Sequence, residues 1–275
     1  MPKVKVGDID MYYEIHGEGE PLVLNSGAGG RVESKERRIE VFSPEYQVIA
    51  YEVRGAGRSD APDIPYTMEM LADDLSGLLD EIGVTSAHIF GESFGSLLAQ
   101  YFTLQYPERV RSLILASSGT GPGDKEHSVL SQGYWNFLRD FSSGTPEERA
   151  EAMIRFFFTQ EYIDNHPDYF EKRREKMKTT SPNSPHGVTR LGQAQAIANT
   201  YDRLPDIKAP SLIVHGEADM IIPVENARIL ASRIPNAELV TLPNTGHALV
   251  EAGDKLYGVI LDFLRRHSST GKGVT

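Results

Sequence analysis

The sequence predicts an α/β fold with a mostly parallel central sheet and helices on both faces. Strand-like apolar runs alternate with helical segments along much of the 275-residue chain, which is long enough to bury one large core. Residues 22–24 are continuously apolar and residues 110–116 nearly so, as in strands that are buried on both faces. Glycine-rich loops follow these strands at their carboxyl ends, where such sheets carry their active sites.

The first half of the chain contains six predicted strands. Residues 4–6 and 11–15 form an antiparallel hairpin at the sheet edge, joined by a turn at residues 7–8. The following strands are residues 22–24, 47–51, 87–90 and 110–116. Helices are predicted over residues 35–42, over residues 68–82 with Thr67 as the N-cap, and from residue 97 onward.

The second half begins with a long helical stretch rich in aromatic residues. No strand pattern appears between residue 117 and about residue 205, which predicts a helical cap inserted after the sixth strand, over the carboxyl edge of the sheet. The sheet then resumes with strands at 211–216 and 238–242 and helices at 224–234 and 255–266. We therefore expect a core of residues 1–118 and 206–267, a cap of residues 119–205, and a disordered polar tail of residues 268–275.

Composition excludes several classes of function. The chain has no cysteine, so disulfides, thiolate catalysis and cysteine-ligated metals are impossible, and a cytoplasmic location is expected. It has neither a signal-peptide core at its N-terminus nor a run of about 18 apolar residues. A net charge of −11 disfavours nucleic acid as a partner. We expect a monomer or homodimer that acts on a small molecule away from membranes.

The sequence Gly91-Glu92-Ser93-Phe94-Gly95 lies between a predicted strand and a predicted helix. This G-x-S-x-G pattern is typical of a nucleophile elbow, in which glycines let the strand and helix approach closely. Ser93 is then expected in a strained backbone conformation, exposed above the sheet. The amide of Phe94, at the helix N-terminus, would point to the place where an oxyanion forms.

A serine nucleophile needs a base, and the base needs a carboxylate. His247 is the best-placed histidine, because it follows the last strand and Gly246 permits the bend toward the sheet. Asp219 follows the penultimate strand and is the preferred acid, whereas its rival Glu217 lies closer to the strand and is expected to cap or solvate the turn. The predicted triad is Ser93, Asp219 and His247.

These pieces resemble the α/β-hydrolase family over nearly the whole chain. The matching segments are residues 22–30, residues 54–59, the elbow, residues 215–219 with Pro223, and Gly246-His247. The resemblance implies the α/β-hydrolase fold, an oxyanion hole made by the amides of Phe94 and Ala28, and a mechanism without metal or organic cofactor. Many relatives have a histidine-glycine pair where this chain has Ser26-Gly27.

The predicted function is hydrolysis of carboxylic esters of small or medium apolar substrates through an acyl-enzyme on Ser93. Substrate contacts are expected from Gly27, Trp135, Phe141 and Phe157. One alternative is a prolyl-iminopeptidase-type aminopeptidase, which residues 51–60 and Phe94 resemble, and which would need a cap carboxylate from Glu147, Glu148, Glu151 or Glu161. Lactone opening, carbon–carbon bond hydrolysis and a ligand receptor without turnover are further alternatives.

Overall fold

The computed structural model describes residues 3–27, 29–179 and 183–268, and eight strands in these residues form one sheet. The strands are β1 (Lys3–Val6), β2 (Ile9–His16), β3 (Glu20–Asn25), β4 (Tyr46–Tyr51), β5 (Ala87–Glu92), β6 (Val110–Ala116), β7 (Ser211–Gly216) and β8 (Ala237–Leu242). Their order across the sheet is β1-β2-β4-β3-β5-β6-β7-β8. The β1–β2 and β2–β4 pairs are antiparallel and the others parallel, which confirms the predicted sheet and its edge hairpin.

Ten α-helices lie in the described part of the chain. They are α1 (Glu36–Phe42), α2 (Met68–Glu81), α3 (Phe94–Gln105), α4 (Gln132–Ser143), α5 (Pro146–Phe157), α6 (Gln160–Asn165), α7 (Pro167–Thr179), α8 (Pro185–Ile197), α9 (Glu225–Arg233) and α10 (Asp254–Arg266). Thr67 caps α2 as predicted, because its side chain accepts a hydrogen bond from the Met70 amide. None of the described helices is long and apolar enough to cross a membrane.

Successive residues of the central strands pack into two different hydrophobic clusters. In β5, Ile89 belongs to a cluster with the helices α2, α3 and α9, whereas Phe90 belongs to a cluster with α1 and α10. In β6, Leu113 and Ile114 divide between the two clusters in the same way. Because neighbouring side chains of a strand point to opposite faces, this division shows that helices cover both faces of the sheet.

The five helices α4–α8, here called the helical segment, lie between β6 and β7 in the chain. The buried aromatic residues of this part of the chain form two small clusters, one around Phe156 with Ile221 and one around Phe158 and Phe170. We propose that this segment is the core of a cap spanning residues 119–205, inserted in a domain of residues 1–118 and 206–267. The predicted tail, residues 268–275, lies outside the described residues apart from Ser268.

Candidate active site

The turn between β5 and α3 carries Ser93 in an unusual backbone conformation, with φ of 54° and ψ of −119°. A side chain on either neighbouring glycine would collide with the backbone. A Cβ on Gly91 would lie 2.3 Å from the carbonyl oxygen of Gly95, and a Cβ on Gly95 would lie 2.3 Å from that of Asn25. The two glycines therefore let α3 pack directly on β5 and β3, and this close packing holds Ser93 in its strained conformation.

Asp219 lies in the turn after β7 and is almost fully buried. Its Oδ1 atom accepts hydrogen bonds from the amides of Ile221 and Ile222 at 2.8 and 2.9 Å. Its Oδ2 atom lies 2.8 Å from Nδ1 of His247. Burial would raise the pKa of this carboxyl, but the adjacent His247 and His215 rings outweigh burial and hold the pKa well below its usual range. Asp219 is therefore an ionised carboxylate at neutral pH.

His247 lies in the loop after β8 and joins the other two predicted triad residues. Its Nδ1 atom bonds Asp219, and its Nε2 atom lies 3.0 Å from Oγ of Ser93. An ionised carboxylate can only accept hydrogen bonds, so Nδ1 carries the proton and Nε2 is free to accept the proton of the serine. Burial lowers the pKa of the His247 imidazole, but the charge of Asp219, its hydrogen bond and the charge of Glu92 together outweigh burial, so this pKa lies above its ordinary value of 6.5.

Two polar contacts hold the backbone on either side of His247. Oγ of Ser117, at the end of β6, donates to the carbonyl oxygen of His247 at 2.8 Å. The carboxylate of Glu251 accepts from the amide of Gly246 at 2.9 Å and also from the amide of Thr159, between α5 and α6. Glu251 thereby ties the histidine loop to the helical segment. No spacing in the sequence points to this role, because the two amides lie 87 positions apart in the chain.

The predicted oxyanion donors are described only in part. Phe94 is the first residue of α3, so its amide is one of the helix N-terminal amides that have no acceptor within the helix. Ala28, the second predicted donor, lies outside the described residues. Its neighbour Gly27 is close to the nucleophile, since a Cβ on Gly27 would lie 3.8 Å from Cβ of Ser93. The loop after β3 therefore passes beside Ser93.

A pocket opens beside Ser93, between the sheet and the helical segment. Leu97 of α3 lines it together with residues of the loops after β6 and β7. The described residues that line it are Ser93, Leu97, Gly119, Gly121, Pro122, Ser128, Val129, Leu130, Tyr134, Gln195 and Ile222. Most of this wall is apolar, and Tyr134 and Gln195 add polar groups from two helices of the helical segment.

The four residues predicted to contact substrate are not among these lining residues. Gly27 lies beside Ser93, and the Phe157 ring packs edge-on against the His247 ring with centroids 4.8 Å apart. Phe141 packs on Phe137, while Trp135 is 52% exposed. Tyr134, the neighbour of Trp135, lines the pocket instead. Sequence alone cannot choose between two adjacent aromatic residues of α4, because the choice depends on how that helix docks.

Comparison with known proteins places the chain among hydrolases. Residues 20–254 match the sequence model of a family described as alpha/beta hydrolase fold. A protein of Azorhizobium caulinodans provisionally named carbamate hydrolase RutD is 29% identical over 248 residues, which are 90% of this chain and 92% of that protein. A 2-hydroxy-6-oxononadienedioate/2-hydroxy-6-oxononatrienedioate hydrolase of Burkholderia vietnamiensis is 29% identical over 272 residues, 94% of this chain and 92% of that one.

Among solved structures, a thermophilic esterase from Thermogutta terrifontis superposes with a TM-score of 0.81. The two chains are 28% identical, and the match covers 98% of this chain and 100% of the esterase. Relatives with these names hydrolyse different bonds, so the comparisons support hydrolysis in general and do not favour one type of bond.

Proposed function

We propose, from the premise that the chain belongs to the family of the α/β hydrolase fold, that it cleaves carboxylic esters of small or medium apolar substrates. The observation that carries this proposal is the pair of hydrogen bonds that His247 makes, at 2.8 Å to Asp219 and at 3.0 Å to Ser93. A serine hydroxyl attacks carbonyl carbon only when a base removes its proton. The cytoplasmic location and the monomeric or homodimeric state expected from the sequence are part of this proposal.

The first half of the reaction forms an acyl-enzyme. Oγ of Ser93 bonds to the ester carbonyl carbon while Nε2 of His247 takes the hydroxyl proton. The ionised Asp219 stabilises the resulting imidazolium and keeps the ring in the productive tautomer. His247 then gives its proton to the alcohol oxygen as the carbon–oxygen bond of the ester breaks, and the alcohol leaves.

The second half releases the acid. A water molecule gives a proton to His247 and attacks the acyl carbonyl, after which the proton returns to Oγ of Ser93. In both halves negative charge develops on the carbonyl oxygen. The amide of Phe94, at the N-terminus of α3, is a donor that can hydrogen-bond this oxygen. Losing one donor of this kind typically costs about 2.7–4 kcal/mol in the transition state.

The pocket supports a substrate whose acyl or alcohol part is apolar and of modest size. Leu97, Val129, Leu130 and Ile222 supply most of the apolar wall near Ser93. None of the four glutamates considered for an aminopeptidase lines this pocket: Glu147 and Glu161 are exposed, Glu148 caps α5, and Glu151 pairs with Arg174 on the surface. The structure of the pocket therefore favours an uncharged ester over a substrate with a free amine.

A lactone or a carbamate is the second candidate substrate class. Both present an acyl carbon that the same serine could attack, and the Azorhizobium caulinodans relative is provisionally named a carbamate hydrolase. The lactone ring is an internal ester, so its opening requires no group beyond those already proposed. A carbamate differs in that nitrogen donates electrons to the carbonyl and slows attack.

The test is hydrolysis of p-nitrophenyl esters from acetate to decanoate by the wild-type protein and by Ser93→Ala. We expect turnover with a chain-length optimum for the wild type and near-background turnover for the variant, with unchanged circular dichroism. The matched control is Ser232→Ala, which removes an exposed hydroxyl of α9 and should keep full activity. A γ-lactone, an aryl carbamate and a prolyl arylamide assayed in parallel identify the preferred bond.

Equal ester turnover in the wild type and in Ser93→Ala would refute the proposal. Turnover of the prolyl arylamide alone would replace it with the aminopeptidase alternative. Absence of turnover with every compound, in a folded protein, would favour a ligand receptor.

A further inference from the structure

His215 is a buried histidine in β7 that has no role in the steps described above. Its side chain is completely inaccessible to solvent. Its Nε2 atom lies 2.7 Å from the carbonyl oxygen of Ile222 and 3.3 Å from Oδ2 of Asp219. Its Nδ1 atom is buried and has no hydrogen-bond partner within residues 3–27, 29–179 and 183–268.

These contacts define the protonation state of the ring. A carbonyl oxygen only accepts hydrogen bonds, so Nε2 carries the proton that points to Ile222. A second proton on Nδ1 would leave a charged N–H buried without an acceptor, which is strongly unfavourable. The His215 N–H is therefore on Nε2 and donates to the Ile222 carbonyl, while Oδ2 of Asp219 lies 3.3 Å from the same nitrogen.

The same Asp219 oxygen faces both histidines. Oδ2 lies 2.8 Å from Nδ1 of His247 and 3.3 Å from Nε2 of His215, while Oδ1 is occupied by the two amides of the turn. The positive end of the His215 N–H lies close to Oδ2 and draws negative charge away from the side of the carboxylate that His247 uses.

We propose that His215 is a positioning residue that acts through Asp219: it closes the turn after β7 on the Ile222 carbonyl and, with the same N–H, limits the basicity of His247. This inference rests on the proposed function, because it assigns His247 as the base. It is supported by the pKa of the Asp219 carboxyl, which the His215 hydrogen bond helps to lower.

The direction of the expected effect follows from the charges around His247. Asp219 and, more weakly, Glu92 raise the pKa of His247, and Glu251 adds negative charge near Asp219. Removing the His215 N–H leaves the Asp219 carboxylate less neutralised, so it attracts the imidazolium more strongly. The pKa of His247 should then rise.

Two amide substitutions separate the hydrogen bond from the volume of the side chain. A glutamine at position 215 places its amide nitrogen near the position of Nε2 and can donate to both acceptors. An asparagine is one methylene shorter and reaches only the position of Nδ1. His215→Gln and His215→Asn are both polar and neutral, so they differ chiefly in whether the donor reaches Ile222 and Asp219.

The primary measurement is the pKa of His247 from an NMR titration of its imidazole, assigned with His247→Asn. It needs no substrate. We expect His215→Asn to raise this pKa by about half a unit and His215→Gln to restore the wild-type value. With an ester substrate, the acid limb of kcat/KM should move by the same amount, and kcat should fall about fivefold in His215→Asn with KM unchanged within twofold.

Equal His247 pKa values in the wild type and in both variants would overturn the inference, whatever their thermal stability. If the predicted pKa shift occurs in a protein that hydrolyses none of the tested compounds, the proposed function fails while the link between His215 and His247 stands. If His215→Asn does not fold, an unshifted His247 pKa in a folded His215→Leu variant refutes the proposal, and a raised one supports it.

Discussion

The carboxyl edge of the sheet and the helical segment α4–α8 are built in different ways, although both border the pocket. At the sheet edge Asp219 and His247 are nearly inaccessible, and backbone amides or buried side chains bond each of them. In the helical segment Trp135 and Ile197 are 52% and 74% exposed, and the buried aromatic residues form only two small clusters. We propose that the residues at the sheet edge carry out the reaction, whereas the helical segment determines which substrates fit the pocket.

The two regions meet at a few specific contacts. The amide of Ala248, next to His247, donates to the carbonyl oxygen of Phe157 at 2.8 Å, and Glu251 bonds the amide of Thr159. The amide side chain of Asn183 bonds both the carbonyl of Gly29 and the amide of Gly57. These contacts tie the loops after β3, β4 and β8 to the helical segment and its connections.

The largest effect is expected for Asp219→Asn at the sheet edge. The new amide can still accept from Ile221 and Ile222, but its NH₂ group faces His247 and forces the wrong tautomer. Ester turnover should fall by about 10⁴ with little change in thermal stability. Kinetics on the best p-nitrophenyl ester, with circular dichroism as a control, tests this; a loss below tenfold would show that Asp219 is not the acid.

A matched pair of glycine substitutions tests the difference in packing. Gly95→Ala forces a Cβ to within 2.3 Å of the Asn25 carbonyl oxygen, and should lower the free energy of unfolding by about 3 kcal/mol. Gly192→Ala lies in α8 with open space around it, and should raise that free energy by about 0.5–1 kcal/mol. Urea unfolding measures both; similar effects at the two sites would contradict the comparison.

A smaller effect is expected for Leu130→Ala in the pocket wall. The shorter side chain enlarges the apolar site without touching the triad, so longer esters should gain relative to acetate. The ratio of kcat/KM for octanoate to that for acetate should rise about tenfold, the size of a difference of one or two methylenes. Val188→Ala, on the exposed part of α8, is the control. An unchanged ratio would mean that substrate does not occupy this pocket.

Most of the fold could be predicted because its signals are local. Continuous apolar runs mark strands buried on both faces, and the spacing in residues 68–82 marks a helix whose observed bounds are Met68–Glu81. The helix predicted at residues 35–42 begins one residue later, after a short 3-10 turn at Val32–Lys35. Such boundaries depend on capping and packing, which periodicity does not encode.

The sequence could likewise identify some residues of the candidate site and not others. Ser93, Asp219 and His247 each follow a strand, and the sequence could bring them to one edge because parallel strands end together. His215 and Glu251 could not be recognised, since nothing in their surrounding sequence shows that His215 contacts Asp219 or that Glu251 bonds the Gly246 amide. Their contacts exist only when loops far apart in the chain have been packed against each other.

The sequence by itself determined the order of strands and helices, the tight glycine turn at Ser93 and the identity of the three residues proposed as the triad. Each of these follows from short-range sterics or from the burial pattern of one segment. Only the tertiary structure decided which residues line the pocket, so that Tyr134 and Leu130 lie there in place of Trp135 and Phe141. The way an amphipathic helix docks depends on the side chains of both packed surfaces, so the sequence of the helix alone does not define it.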